Sequence, residues 1–79
     1  MYQQQINTLS TQEGGKVVLS LKEWRRAKGF SVEKVAEYLN VSPSTVNNWE
    51  NNGQKIPVDK AILYCRFIGV DIKDVNFFA

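Results

Sequence analysis

SVEKVAEYLNVSPSTVNNWEN, residues 31–51, is the stretch that decides the fold. Val32, Val35, Ala36 and Leu39 fall at i, i+3, i+4 and i+7, which makes one apolar stripe on a short helix. Asn40-Val41-Ser42 interrupts that pattern. A second helix then starts at Ser42-Pro43. Ser42 suits the N-cap, and Pro43 suits the first helical position, where a missing N–H costs nothing. This second helix offers a core only Val46 and Trp49, three residues apart. Its other positions, Ser44, Thr45, Asn47, Asn48 and Asn51, carry short donors and acceptors and no positive charge. Two short helices around a tight turn, the second with a narrow apolar face and several amides, suit the base edges of a DNA major groove.

Working outward, the sequence predicts a helix over about Leu21–Lys28, with Ser20 and Glu23 as a capping box and Gly29 as a left-handed stop. The second helix of the motif ends at Asn52-Gly53. A fourth helix is expected over about Val58–Ile68, after Pro57 and before Gly69, with no good cap residue at its start. A fifth follows Asp71 as N-cap and includes Val75. Hydrophobic staples support four of these starts: Leu19 with Trp24, Phe30 with Val35, Val41 with Val46, and Val70 with Val75. No stretch alternates as a sheet strand does, and residues 17–19 suit an extended lead-in.

The chain has 79 residues, enough for one domain with one small core. It is 43% hydrophobic and 23% charged, a globular balance. No apolar run approaches the roughly 20 residues of a membrane span, and no basic-then-apolar leader opens the chain. One cysteine leaves no internal disulfide and fits a reducing, cytoplasmic setting. With no histidine and one cysteine, the Cys/His zinc sets and the histidine-based triads are not available. No Gly-rich phosphate loop occurs. Neither catalysis nor a metal, cofactor or small-molecule ligand is therefore expected.

Residues 1–16, MYQQQINTLSTQEGGK, are polar and Gln-rich and end in Gly-Gly, which reads as a flexible tail ahead of a domain over 17–79. Glu13-Gly14-Gly15 can be encoded by a purine-rich tract like a bacterial ribosome-binding site, and Val17 or Val18 by a GTG start. The natural protein is on that logic expected to begin near Val17.

Residues 19–78 resemble the helix-turn-helix domain of the phage repressor and Cro-like family, also called the Xre family. The resemblance rests on L-K-E-W-R at 21–25, S-V-E-K-V-A at 31–36, N-V-S at 40–42, T-V-N-N-W-E at 45–50 and F-I-G-V at 67–70. It implies an all-α, compact five-helix domain like that of lambda repressor. It places Ala36 at the small residue between the motif helices, and Asn40 at a turn position that is usually Gly and needs positive φ. A structural ion pair is implied at Arg25 and Glu50. The implied base contacts are Pro43, Ser44, Asn47 and Asn48, and the implied phosphate contacts are Ser31, Thr45, Asn51 and Lys55. Pro43 departs from the polar residue often found there and leaves only apolar contact, as with a thymine methyl. Ser31 and Ser42 also read simply as caps.

Net charge is only +2. Residues 16–34 hold Lys16, Lys22, Arg25, Arg26, Lys28 and Lys34 against Glu23 and Glu33, a local excess of four positive charges suited to phosphates. In helix 4, Ala61, Tyr64, Cys65 and Ile68 complete an inner stripe, leaving Ile62, Leu63 and Phe67 as surplus, with Phe77 and Phe78 nearby. That surplus suggests a partner face, with Phe67, Phe77 and Phe78 as the dimer interface. The expected function is a sequence-specific DNA-binding regulator, a small Cro-like or mobile-element repressor that binds a palindromic operator in double-stranded DNA as a homodimer. The alternative is a protein-interaction module on the same fold, of the antitoxin or anti-repressor type, which the uncharged second helix keeps open.

Overall fold

Ser20 opens the first helix in the computed structural model, which describes residues 17–78. The tail expected over 1–16 lies outside the described residues, as does Ala79. Among the described residues there are four α-helices: α1 (Leu21–Ala27), α2 (Val32–Leu39), α3 (Pro43–Asn51) and α4 (Val58–Ile68). A 3₁₀ turn at Gly53–Lys55 joins α3 to α4, and another at Ile72–Asp74 follows α4. The fold is all-α.

Each boundary has a local cause. At α1 the Ser20 hydroxyl accepts from the Glu23 N–H at 3.2 Å, and the Glu23 carboxylate accepts from the Ser20 N–H at 3.0 Å. This closed capping box satisfies two of the donors that a helix start leaves orphaned. Ser31 caps α2 and Ser42 caps α3 by the hydroxyl alone, accepting from the N–H groups of Lys34 and Thr45. Gly29 and Gly69 adopt left-handed φ of 81° and 79° at the ends of α1 and α4. Asn40 takes the same conformation between α2 and α3, at φ 59° and ψ 46°. At α4, Pro57 makes no side-chain cap, as its chemistry requires.

The core sits where α1, α2 and α4 meet the inner edge of α3. Val35, Val46 and Tyr64 are fully buried, with Leu21, Ala36, Leu39, Ala61, Cys65 and Ile68 around them. Trp24, Phe30, Trp49, Leu63 and Phe67 pack against this cluster half-buried. Lys60 reaches from α4 to the last carbonyl of α2, donating from Nζ to Leu39 O at 2.9 Å. That bond satisfies a carbonyl left open at the helix C-terminus and fixes α2 to α4.

The end of the chain differs from expectation. Asp71 does act as an N-cap, accepting from Lys73 N–H at 3.1 Å, but what it caps is a single 3₁₀ turn. Val75 is extended and bridges Leu19 in parallel, while Asn76 N–H donates to Leu19 O at 2.9 Å. The Trp24 indole N–H donates to the Asp74 carbonyl at 2.9 Å. With backbone partners supplied by Leu19 and by Trp24, the segment has no need of a helical ladder.

Gly53 is buried for a reason of packing. A Cβ there would overlap the carbonyl oxygen of Phe77 and crowd its carbonyl carbon. Its φ is not left-handed, so the missing side chain serves close approach alone. Gly53→Ala is expected to destabilise the domain by about 1–3 kcal/mol, the usual range for overpacking. Urea unfolding measures this. An unchanged or raised midpoint would mean that the terminal segment is not held against the end of α3.

Candidate nucleic-acid interface

The outer face of α3 is built from residues that the core does not need. Val46 and Glu50 point inward and are buried, and Trp49 is half-buried. Pro43, Ser44, Asn47, Asn48 and Asn51 are all exposed. Ser44, Asn47, Asn48 and Asn51 follow the i, i+3, i+4, i+7 rule and form one polar stripe along the helix. No lysine or arginine occurs between Lys34 and Lys55, so this face is uncharged.

At the N-terminus of α3 the hydroxyls tie one another down. Ser42 Oγ lies 3.1 Å from Ser44 Oγ and 2.9 Å from Thr45 Oγ1. Ser44 and Thr45 are thus engaged at the cap as well as placed on or beside the stripe. Ser31 is exposed at the start of α2 and caps it. Ser31, Lys34 and Pro43 border one open cleft, which brings the starts of α2 and α3 together. Lys55 is exposed in the 3₁₀ turn after α3, and Thr45 is partly covered.

A buried polar network sets the position of α3. Arg25 of α1 donates to Glu50 through Nε (2.7 Å to Oε2) and Nη2 (3.2 Å to Oε1), and through Nη1 to the Phe30 carbonyl at 2.8 Å. The Arg25 and Glu50 side chains are 9% and 2% exposed. The Tyr64 hydroxyl of α4 donates a short hydrogen bond to Glu50 Oε2. The last turn of α3 is therefore held from both α1 and α4. Burial, and then the Glu50 carboxylate, push the Tyr64 phenol far above the ordinary tyrosine range. The bond to Glu50 likewise raises Arg25 and outweighs its burial. Arg25 thus stays charged and Tyr64 neutral at neutral pH.

Sequence reading missed Tyr64 as a partner of Glu50 and placed it only on the inner stripe of α4. A signal was present, because a fully buried phenol almost always needs an acceptor. The geometry bears on two other expectations. Arg25 is sequestered by Glu50, so the basic excess facing solvent is carried by Lys22, Arg26, Lys28 and Lys34 among the described residues, with no part from Arg25. Phe67, Phe77 and Phe78 do not form one surface. Phe67 stacks on Tyr38 at 4.5 Å and tilts against Phe30 at 5.0 Å. Phe77 and Phe78 instead line a depression with Gly53, Ile56, Val58 and Ile72. On α4 the positions of Ala61, which borders this depression, and Phe67 are about 120° apart, because six residues turn a helix by 600°.

Residues 21–75, more than half of the chain, match the family model described as Helix-turn-helix. The chain belongs to the Xre/Cro-like helix-turn-helix family. No curated protein and no solved structure gives a significant match. In this helix-turn-helix protein α2 and α3 are the motif helices, and Asn40 supplies the left-handed turn between them. The family is one of DNA-binding transcription regulators, and the polar stripe of α3 lies on the exposed side of its second motif helix. Among the described residues, no helix is long and apolar enough to cross a membrane, and no cluster of metal-binding side chains occurs.

Proposed function

We propose that this protein is a sequence-specific transcription regulator, a small Cro-like repressor of a phage or mobile element, and that it binds a palindromic operator as a homodimer. The observation that carries this reading is the stripe of α3. An exposed row of amides is held rigidly on a helix whose inner side is locked by Arg25, Glu50 and Tyr64. Rigid presentation lets base contacts discriminate instead of merely adhering. Pro43, Ser44, Asn47 and Asn48 face base edges in this reading. Ser31, Thr45, Asn51 and Lys55 face phosphates.

Dimerisation is supported by the apolar surface around Phe78. Val58 is 74% exposed and Phe78 83%, and Ile62 and Ile72 are also exposed. Val58 and Ile62 are four apart and share one face of α4. The patch borders Gly53 and Gln54, the residues that follow α3. A two-fold contact there would set the two recognition helices beside one another. The interface thus centres on Val58, Ile62, Ile72, Phe77 and Phe78, and Phe67 belongs to the packing of α4 on Tyr38 and Phe30.

Selection from random duplex DNA tests the reading. Enrichment of an inverted repeat with half-site centres about 34–36 Å apart is the expected result. Lys55→Ala should weaken all sequences alike and lower the salt slope by about one. Failure to enrich any sequence would sink the proposal and favour a protein partner, to which the uncharged α3 face is also suited.

A further inference from the structure

We infer that the half-site is read as A·T pairs, through adenine, by the amides of Asn47 and Asn48. This inference rests on the DNA-binding reading above. The starting observation is which groups on the stripe are already engaged. Ser44 is held 3.1 Å from the cap hydroxyl of Ser42. The side-chain amides of Asn47, Asn48 and Asn51 make no hydrogen bond to any described residue, and all three residues are exposed. Each presents a carbonyl acceptor beside an NH₂ donor.

The four bases then separate by chemistry. In the major groove adenine shows an N7 acceptor beside an N6 donor, the complement of one amide. Guanine shows two adjacent acceptors, O6 and N7, and an amide that donates to one sets its own carbonyl against the other. Reading guanine calls for arginine or lysine, and none lies between Lys34 and Lys55. Cytosine offers the N4 donor, best taken by a carboxylate. The only carboxylate of α3 is Glu50, which is buried and already bound by Arg25 and Tyr64. Thymine, the partner of adenine, offers a methyl group, and exposed Pro43 at the start of the stripe suits it. The exposed amides of α3 and the ring of Pro43 therefore favour A·T, the Ser44 hydroxyl is indifferent, and the charged groups that best select G·C are absent or consumed by the core.

The test uses the full chain and the duplex that it selects from a random pool. The expected half-site is A·T at the central contacted positions. Each contacted adenine is then replaced by 7-deazaadenine, which removes the N7 acceptor and leaves base pairing and the minor groove unchanged. Affinity should fall about 5- to 150-fold for each contacted adenine, the range of one good bidentate pair. It should not change when adenines outside the half-sites are replaced. Asn48→Arg, on an exposed position, should convert one preferred adenine to guanine. A G·C-rich half-site would overturn the inference and leave the regulator reading standing. So would an A·T-rich site indifferent to 7-deazaadenine, because its preference would then come from groove shape. A pool with no enrichment at all would instead overturn the regulator reading itself.

Discussion

Glu50→Ala should lower the melting temperature by at least about 12 °C. The substitution leaves the Arg25 guanidinium, itself 9% exposed, without its carboxylate partner, and leaves the Tyr64 hydroxyl without its acceptor. Breaking one side of a buried pair costs about 3–5 kcal/mol. A domain of this size loses roughly 4–8 °C per kcal/mol, and its whole stability is of the order of 5–15 kcal/mol. Part of the population is therefore expected to be unfolded near physiological temperature. Tyr64→Phe removes only one hydrogen bond to a charged acceptor and should cost less, about 1.5–3 kcal/mol. Glu33→Ala, at an exposed site on α2, should shift stability by no more than about 0.5 kcal/mol. Thermal unfolding followed by helical circular dichroism orders the three variants. A loss of only one or two degrees in Glu50→Ala would show that the network is wet in solution and does not position α3.

The second large effect concerns operator binding. Val58→Lys combined with Phe78→Lys is expected to leave helical content and melting temperature near those of the parent, because both side chains already face solvent. Affinity for a two-half-site operator should fall about 100-fold or more, toward that of a single half-site, once the linkage between the copies is lost. Binding to an isolated half-site should not change. Phe67→Lys makes the contrast: it removes the ring that stacks on Tyr38 and tilts against Phe30 and should destabilise the fold before it affects cooperativity. Parent-like cooperative binding by the double variant would move the interface to another face, and a collapse of its melting temperature would place the two side chains in the core.

The helical part of the fold was legible because its signals are local. Ser20 with Glu23, Ser31, and Ser42 with Pro43 each act within one turn of their own chain, and the caps form where the sequence puts them. Asn40 at the turn and the stripe of Val35, Ala36 and Leu39 follow from periodicity and from tolerance of positive φ. The outward stripe of Ser44, Asn47, Asn48 and Asn51 was legible by subtraction, since a helix that spends only Val46, Trp49 and Glu50 on its neighbours must leave the rest to solvent.

Other features were settled by residues far apart in sequence. Asp71 is a true cap, yet no local signal says that the chain beyond it will find Leu19, far back at the start of the domain, and become extended at Val75. The Gly53 hydrogen is needed because the Phe77 backbone arrives there. The same holds for Phe67 and Phe78. Both are apolar and surplus to the inner stripe, but Phe67 finds Tyr38 and Phe30, while Phe78 remains 83% exposed. Sequence by itself determined the four α-helices, the caps that start α1, α2 and α3, and which side of α3 is polar, because caps, turns and periodicity act over three or four residues. Only the tertiary structure decided the bridge of Val75 to Leu19, the third member of the Glu50 network and the extent of the free apolar surface, because burial and close approach depend on which distant segment arrives to fill the space.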